Sequence, residues 1–385
     1  MNHSALSLLE QLTAIESVNP HFTGGSRGES EVADFLEARC RANGIECRRQ
    51  TVLPGRDNVI IEVRGGKPRP TLLFEAHMDT VPPGNMVEAF TPIYRDGRLY
   101  GRGACDTKGS LAAMLAALEQ AAGEPASLPC DIVLCAAVDE EYQFRGVMSL
   151  LDLGLQVDGA VVGEPTDLSI VVAHKGVCRF AVTTHGKAAH SSMPHLGISA
   201  IAGMRPVLDF INDTIEPELS RQAHPLCGAA TVVIGTIKGG TQINIVPDRC
   251  EIEVDRRVLP GENSRAVLRD FETRLCEVLR SRGIEFSVRE LLLDEPLATP
   301  SDAAIVSCAR RGAATLGLPT KAIGVPYGSD ASKLQAYGGI PSIVYGPGSI
   351  GQAHSDAEFV PIDEVEQATA FYLELMRTFG KEEQS

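Results

Sequence analysis

Seven acidic and imidazole side chains, spread over most of the chain, are of the types that bind divalent metal ions and exchange protons with water. They are His77, Asp79, Asp106, Glu140, Glu141, Glu164 and His354. Imidazole nitrogens and carboxylate oxygens are ligands that zinc accepts. Two metal ions that share a water molecule lower its pKa and support hydrolysis. Gathered in one place, these residues would supply the ligands of a two-metal hydrolase.

Asp106 lies in a glycine-rich turn, 99–110 (LYGRGACDTKGS), that leads into an alanine-rich helix. Gly101, Gly103 and Gly109 allow backbone conformations that other residues avoid, so the turn can fix the direction of the carboxylate that it carries. Alone, the pattern favours an aspartate near a helix N-terminus, where negative charge is favourable. Metal binding is favoured only when Asp106 is considered together with the other candidate ligands.

Two pairs of candidate residues follow predicted strands. His77 and Asp79 are two residues apart, so in an extended segment their side chains leave the same face. Asp79 is then placed to hold the second imidazole nitrogen of His77. Glu140 and Glu141 are adjacent and point to opposite sides, so one can bind metal while the other acts as a general base. A solvated acidic turn explains this second pair as well.

Glu164 and His354 also lie at ends of elements. Glu164 comes directly after the apolar run 159–162, and His354 follows a Gly-Pro-Gly turn, although each alone fits an ordinary loop residue. Apolar runs alternate with amphipathic segments, which indicates an α/β sheet covered on both faces. Such sheets place their sites where strands end. Strands are predicted at 58–63, 71–75, 131–138, 159–162 and 340–345, and helices at 29–43, 111–122, 147–153, 303–316 and 364–379.

The middle of the chain follows a different order of elements. Strands are predicted at 177–184, 230–237, 250–258 and 286–293, and helices at 198–211 and 265–280. This order, β-α-β-β-α-β, is the ferredoxin-like split unit. Alternating apolar and polar residues in 250–258 indicate one buried and one solvated face. We therefore expect a first domain formed by 1–176 and 294–385, with a separate domain inserted at 177–293.

Composition argues against several partners. The 385 residues carry a formal net charge of −15 without a cluster of Lys and Arg, so we expect neither nucleic acid nor an anionic membrane as a partner. No apolar run reaches the roughly 18 residues of a membrane span. Residues 1–16 form an amphipathic pattern unlike a signal peptide. The ten cysteines contain no C-x-x-C pair, which favours reduced core thiols and a cytoplasmic protein.

Five segments, in order along the chain, resemble the motifs of the dinuclear zinc amidohydrolases and peptidases, the family of acetylornithine deacetylase, succinyl-diaminopimelate desuccinylase, aminoacylase and carboxypeptidase G. The segments are 75–82 (EAHMDTVP), 101–109 (GRGACDTKG), 139–141 (DEE), 163–166 (GEPT) and 353–354 (AH). The resemblance spans nearly the whole chain. It implies an α/β catalytic domain, with a mixed sheet flanked by helices, and an inserted ferredoxin-like α+β domain that serves as lid and dimerisation domain.

The resemblance also implies a metal centre. Asp106 would bridge two zinc ions, and its peptide bond to the next residue would be cis. His77 and Glu164 would complete one metal site, and Glu141 and His354 would complete the other. Imidazole suits zinc, and the carboxylates would also accept cobalt or manganese.

Further residues take roles by the same resemblance. Glu140 would be the general base, and Asp79 would orient the metal-bound imidazole. His190 matches a histidine that reaches the active site of a partner subunit and stabilises the oxyanion there, which implies a homodimer. Asn244 and Arg257 match positions that hold the carboxylate of the substrate.

The implied activity is hydrolysis of the amide bond of an N-acyl amino acid by a water molecule that the metal ions activate and Glu140 deprotonates. Segments 328–331 (GSDA) and 346–350 (GPGSI) are most similar to the acetylornithine deacetylase branch, which acts in arginine biosynthesis. A dipeptidase, a carboxypeptidase or a succinyl-diaminopimelate desuccinylase would use the same site, so the substrate stays open. A non-catalytic metal- or amino-acid-binding protein is a third interpretation, and Glu140 counts against it because binding needs no general base.

Overall fold

A computed structural model describes residues 4–24, 27–65, 69–280 and 282–381. Contacts between residues divide the chain into two units. The first unit contains the chain up to Val172, Thr299–Ile323 and the chain from Ser329 onward, and the second contains Ala173–Ala298 and Gly324–Gly328. One long segment, 173–298, and one short segment, 324–328, therefore interrupt the first unit.

The helices and strands of the described residues are numbered in chain order. Through residue 174 they are α1 (Ala5–Thr13), α2 (Pro20–Thr23), α3 (Ser30–Asn43), β1 (Glu46–Leu53), β2 (Arg56–Val63), β3 (Thr71–His77), β4 (Ile93–Arg95), β5 (Arg98–Tyr100), α4 (Lys108–Ala121), β6 (Asp131–Ala137), α5 (Arg145–Leu151), β7 (Gly159–Val162) and β8 (Ile170–His174). From 176 to 298 they are β9 (Gly176–His185), β10 (Ala189–His190), α6 (Ala200–Phe210), α7 (Glu216–Ser220), β11 (Ala223–His224), β12 (Gly228–Ala229), β13 (Thr231–Gly239), β14 (Ile245–Val246), β15 (Arg249–Val258), α8 (Ser264–Arg280), β16 (Glu285–Asp294) and β17 (Leu297–Ala298). After 298 they are α9 (Ala304–Thr315), β18 (Ala322–Val325), α10 (Ala331–Gly338), β19 (Ser342–Val344), β20 (Phe359–Pro361) and α11 (Ile362–Thr378).

The central sheet of the first unit contains the strand order β1-β2-β6-β3-β7-β19-β8. The middle strands β6, β3, β7 and β19 are parallel, whereas β1, β2 and β8 are antiparallel to their neighbours. Helices cover both faces: α1, α3, α4, α9 and α11 share a hydrophobic core with one face, and α5 and α10 pack on the other. The predicted α/β class, with a mixed sheet flanked by helices, is confirmed.

Helix α4 anchors the glycine-rich turn. Nearly all of its side chains are buried, from Lys108 at its first position to Ala121 at its last. Four of its residues, Ala112, Ala113, Ala116 and Ala117, are alanines with no exposed surface, and their small size lets α1 and α11 pack closely against it,. The glycine-rich turn therefore leads directly into a firmly packed helix.

The second unit has the predicted ferredoxin-like order β9-α6-β13-β15-α8-β16, which is confirmed. Its sheet is antiparallel with the order β13-β15-β9-β16, and α6 and α8 share its core. The expected alternation in 250–258 is present, since Cys250, Ile252 and Val254 are buried. The helix predicted at 198–211 corresponds to α6, which is shorter than predicted. A π-helical turn, Ile211–Ile215, connects α6 to α7.

The predicted domain boundaries, 177 and 293, fall inside the second unit, one residue into β9 and one before the end of β16. The long segment of the second unit begins earlier, at Ala173, and ends later, at Ala298, and its two ends pair with each other through His174 of β8 and Leu297 of β17. Within the first unit the two sides of the interruption are adjacent, since the Thr299 amide donates to the Val172 carbonyl at 2.8 Å. The change of sequence pattern thus begins a few residues after the interruption itself.

The amphipathic pattern predicted for residues 1–16 corresponds to α1, whose Leu8, Leu9 and Leu12 are buried in the first core. Residues 1–3 of that pattern lie outside the described residues. Across the described ranges, no helix has both the length and the apolar character needed to cross a membrane.

A partly buried ion pair in the second unit gives a prediction about stability. The two guanidinium NH2 groups of Arg256 donate to the Glu262 carboxylate at 2.8 and 2.6 Å, and the Leu259 amide donates to it at 2.7 Å. Burial opposes ionisation of Glu262, but these hydrogen bonds outweigh it and hold the pKa of Glu262 below its ordinary value. Replacing Glu262 with glutamine should lower the free energy of unfolding by about 1–3 kcal/mol at pH 7, since it weakens a charged pair around a buried guanidinium.

The loss should depend on pH. A carboxylate whose pKa is lowered by folding stabilises the fold above its unfolded pKa of about 4.3, and this contribution disappears as the pH falls through the folded pKa. Urea unfolding should therefore give different free energies of unfolding for wild type and Glu262→Gln. This difference in free energy should narrow below about pH 4.3. Glu272→Gln, an exposed position on α8, is the matched control. A difference that stays constant with pH would contradict this account of Glu262.

Candidate active site

The carboxyl ends of three neighbouring strands carry four of the predicted site residues. His77 is the last residue of β3, Glu140 and Glu141 lie in the turn after β6, and Glu164 lies two residues after β7. Because β6, β3 and β7 are adjacent and parallel, these ends meet at one edge of the sheet. The sheet topology is therefore what collects residues that are far apart in the chain.

Asp106 lies between two histidines. Its Oδ1 is 3.1 Å from Nε2 of His77, and its Oδ2 is 3.2 Å from Nε2 of His354. His354 belongs to the loop between β19 and β20, and the peptide bond between Asp106 and Thr107 is cis. A carboxylate that directs one oxygen at each histidine has the shape that a ligand shared by two metal ions needs.

Three further carboxylates surround the two histidines. Glu164 Oε1 lies 3.7 Å and Glu140 Oε2 lies 4.0 Å from Nε2 of His77. On the other side, Glu141 Oε1 lies 3.1 Å from Nε2 of His354. Two sets of three ligand atoms lie within 4.8 Å of one another: His77 with Asp106 and Glu141, and His77 with Glu140 and Glu164.

The electrostatics of this cluster fit divalent cations. Burial raises the pKa of Glu164 well above its ordinary value, and it raises the pKa of Glu140 to about 7. Hydrogen bonds to Asp106 and Glu141 raise the pKa of His354 to about 10. Burying several carboxylates together is costly unless positive charge compensates them. Two divalent ions held by these oxygen and nitrogen atoms would supply that positive charge.

Asp79 makes different contacts from those expected. The hydrogen-bond partner of His77 Nδ1 is the main-chain carbonyl of Asp79 at 2.9 Å, whereas the nearest carboxylate oxygen is 3.6 Å away. The carboxylate instead accepts the backbone amides of Glu140 and Glu141, at 3.1 and 3.2 Å. Asp79 therefore contacts His77 through its backbone and fixes the acidic turn through its side chain.

Asn19 is a buried residue that the sequence patterns did not single out. Its side-chain amide donates to Asp79 at 2.7 Å and to Asp139 at 3.0 Å, and Asp139 also pairs with Arg56 at 3.1 Å. The Asn-Pro dipeptide at the start of α2, with Asn19 as the N-cap and Pro20 as the first helical residue, is a helix-capping signal, and the Asn19 side chain does accept the His21 amide. That signal does not reveal the two carboxylates, which lie 60 and 120 residues away.

Glu358 holds the backbone of the turn that carries Asp106. Its carboxylate accepts the amides of Gly103, Cys105 and Asp106 at 3.0, 2.9 and 3.0 Å. It also accepts a hydrogen bond at 2.6 Å from the buried guanidinium of Arg102. Glu358 itself has no exposed surface. Its position shortly after His354 was the one sequence signal that could have pointed to it.

The remaining predicted residues lie in the second unit. His190 and Asn244 are neighbours there, because β10 pairs with β14 and the Ser191 amide donates to the Asn244 carbonyl at 2.9 Å. His190 is exposed. Strand β15 begins at Arg249, a few residues after Asn244 and β14. Arg257 lies near the other end of β15, roughly 26 Å along the strand from Arg249. Within this unit the fold brings His190 and Asn244 together and separates Arg257 from them.

Comparison with known proteins places this site in a family. Residues 73–378 match the model of peptidase family M20/M25/M40. The chain is 33% identical to acetylornithine deacetylase of Myxococcus xanthus, over 90% of this chain and 92% of that protein. It is 30% identical to a protein of Emericella nidulans named as a probable carboxypeptidase, over 96% of this chain and 88% of that protein.

A solved structure extends the comparison to the fold. A Bacillus subtilis protein described as a dinuclear metal-binding peptidase of the M20 family superposes with a TM-score of 0.74 and 19% identity, over 97% of this chain and 96% of that one. The family match covers most of the chain, including every residue of the cluster at the strand ends. The chain therefore belongs to peptidase family M20/M25/M40 and is a hydrolase of that family.

Proposed function

We propose that this chain removes the acyl group from an N-acyl amino acid, with N-acetylornithine as the preferred substrate, by metal-dependent hydrolysis of the amide bond. The observation that carries the proposal is the Asp106 carboxylate, placed between His77 and His354 with Glu140 beside it. The likeness to acetylornithine deacetylase of Myxococcus xanthus supports the choice of substrate. Such an activity would serve arginine biosynthesis.

Five residues would hold two divalent ions. Asp106 would be shared, His77 and Glu164 would complete one site, and Glu141 and His354 would complete the other. The mixture of imidazole and carboxylate suits zinc, with cobalt or manganese as substitutes. When bound, such ions polarise a carbonyl group and lower the pKa of water.

Glu140 would act as the general base. Its Oε2 lies on the same side of the cluster as His77 and Glu164, and burial raises its pKa to about 7. A carboxylate with a pKa near neutrality can take the proton from the attacking water and then give it to the leaving amine. Asp79 would support this role, because its carboxylate fixes the Glu140 amide.

The second unit would supply groups that bind the substrate. His190 would stabilise the negative charge that develops on the carbonyl oxygen, in the active site of the partner subunit of a homodimer. Asn244 and Arg257 would hold the substrate carboxylate. The exposure of His190 supports a role toward another molecule, and light scattering that finds only monomers would contradict it.

A carboxypeptidase or dipeptidase is the second candidate, supported by the likeness to the carboxypeptidase-like protein of Emericella nidulans. Succinyl-diaminopimelate desuccinylase activity would need the same cluster. A binding protein without catalysis is disfavoured by the placement of Glu140. We further propose a cytoplasmic location, supported by the ten cysteines, all of which are free thiols,.

The deciding experiment measures release of free amine from N-acetylornithine, other N-acetyl amino acids, N-succinyl-diaminopimelate and dipeptides, with added zinc or cobalt. We expect the highest kcat/KM for N-acetylornithine, loss of activity with a chelator, and recovery when metal is restored. Cleavage of dipeptides alone would keep the metal centre and overturn the substrate. Failure to cleave any of these amides, with metal bound, would favour the binding protein.

Replacing Asn19 with alanine should reduce activity without touching a metal ligand. The change removes the amide donor shared by Asp79 and Asp139, and loss of such supporting hydrogen bonds typically costs about 10–100-fold in activity or metal affinity. Steady-state kinetics and metal titration would measure it. Asn43→Ala is the matched control, because the Asn43 amide also donates to a carboxylate, that of Glu119 at 3.1 Å. Unchanged kinetics for Asn19→Ala would contradict this supporting role.

A further inference from the structure

The second unit contains a cavity that the proposed hydrolysis does not use. Its volume is about 330 Å³, and sites for small molecules typically measure roughly 300–1,000 Å³. Side chains of α7, α8, β9, β13 and β15 line it. All of the described lining residues belong to the second unit, so one compact unit builds the cavity by itself.

Most of the buried lining is apolar. Phe180, Leu219, Val232 and Phe271 line the cavity and are buried. The rings of Phe180 and Phe271 pack against each other, with their centroids 4.5 Å apart. An aromatic ring or a branched aliphatic group of a ligand would extend this packing and leave water at the same time. The lining therefore favours a ligand with an apolar body.

Five charged side chains also line the cavity, and four of them form two ion pairs. The two NH2 groups of Arg256 donate to the Glu262 carboxylate at 2.8 and 2.6 Å. The Nη2 group of Arg274 donates to both oxygens of the Glu218 carboxylate at 2.8 Å. Each guanidinium group is therefore matched by one carboxylate.

Asp270 is the fifth charged side chain of the described lining. It is exposed on α8, and its Oδ2 lies 3.6 Å from Nη1 of Arg274, which is longer than a hydrogen bond. The described lining thus has three carboxylates and two guanidinium groups. The cavity carries one more negative than positive charge, and it carries this charge beside an apolar surface.

We propose that this cavity binds a small organic cation, an amine attached to an aromatic or branched aliphatic body. The body occupies the apolar lining, and the ammonium group is attracted by the excess negative charge at Asp270. A ligand carboxylate meets the opposite situation, because both guanidinium groups already hold a carboxylate. The same apolar body should therefore bind more weakly when its charge is negative.

The test uses three probes that share the phenylethyl group and differ in charge: 2-phenylethylamine, 2-phenylethanol and 3-phenylpropionate. Each is titrated into the full-length, metal-loaded protein at neutral pH and low salt, and binding is measured by isothermal titration calorimetry. We expect the amine to bind most tightly, the alcohol more weakly and the carboxylate most weakly. Added salt should weaken the binding of the amine more than that of the alcohol, because salt screens the attraction to Asp270.

One pair of variants tests the role of the charge. Asp270→Asn should weaken the binding of the amine about two- to fivefold, the usual contribution of an exposed charge, and should leave the alcohol unchanged. Asp209→Asn is the matched control. Asp209 is exposed on α6, is paired with the arginine four residues before it at 3.8 Å, and does not line the cavity. Its variant should bind the amine as the wild type does.

A third variant tests the place of binding. Ala266 is an exposed residue of α8 that lines the cavity, so Ala266→Leu should fill part of the cavity and abolish binding of all three probes. Leucine is also a good helix former, so we expect α8 to keep its fold.

Three outcomes would overturn the proposal: no binding of the amine, equal affinity for the three probes, or amine binding that Asp270→Asn and Ala266→Leu both leave unchanged. The last outcome would place the amine elsewhere, for example at the metal ions. These titrations measure binding and not hydrolysis, so a failure here would leave the proposed reaction untouched.

Discussion

Replacing Glu140 with alanine is expected to lower kcat by roughly 10²–10⁴-fold, the usual contribution of a general base, while two metal ions per chain stay bound. The Glu140 carboxylate is mostly buried and lies 4.0 Å from His77, beyond the 3.1 Å separation of Asp106 from the same nitrogen. Its removal should therefore take away the proton acceptor and leave the ligands in place. Kinetics with N-acetylornithine and elemental analysis of the purified protein are the two measurements.

The neighbouring glutamate supplies the contrast. Glu141→Ala should lose metal as well as activity, because its carboxylate lies 3.1 Å from His354 in the ligand cluster. Glu140→Asp should recover part of the lost rate, since a shorter carboxylate still accepts a proton. If Glu140→Ala loses metal and Glu141→Ala keeps it, the two roles are exchanged.

Replacing Glu358 with glutamine should damage both stability and activity. The amide has one acceptor oxygen where the carboxylate has two, and it leaves the buried Arg102 guanidinium without its charged partner. Breaking a buried ion pair in this way typically costs about 3–5 kcal/mol of unfolding free energy. The amides of Gly103, Cys105 and Asp106 lose part of their shared acceptor, so the bridging carboxylate loses its fixed direction, and we expect kcat to fall about 10–100-fold.

Urea unfolding, metal titration and kinetics at a temperature where the variant remains folded would measure these effects. Glu366→Gln makes the same chemical change at an exposed position of α11. It should leave the free energy of unfolding, the metal affinity and kcat unchanged. Full activity in a folded Glu358→Gln protein would show that the Asp106 turn holds its shape without this carboxylate.

Short-range patterns were enough to place several candidate residues at the ends of strands, where the structure also has them. His77, Glu140 and Glu164 each follow an apolar run, and runs of that kind become neighbouring strands of a parallel sheet. Their proximity is therefore a consequence of strand order, which alternation of strands and helices predicts in outline. The ferredoxin-like order of the second unit was predictable for the same reason, because its apolar positions repeat with clear strand and helix periods.

The supporting contacts could not be predicted in this way. Asn19 and Glu358 act on residues far away in the chain, and no local periodicity records which carboxylate meets which amide. Asp79 shows the limit clearly: its spacing from His77 is correct for a contact, but the contact is made by the carbonyl while the side chain turns to the acidic segment. The sequence pattern did not predict strand β1. This edge strand is half-exposed or exposed along its whole length, so its sequence has no alternation of apolar and polar residues.

The hydrogen bond between Thr299 and Val172 has a consequence for the history of the chain. The two backbone positions that flank the long segment are hydrogen-bonded to each other, so the segment could be gained, lost or exchanged between genes without rearranging the central sheet that carries His77, Glu140 and Glu164. The catalytic framework and its interruption can thus diverge at separate rates. Chimeras that join a foreign segment between these two positions would leave the backbone of the first unit continuous.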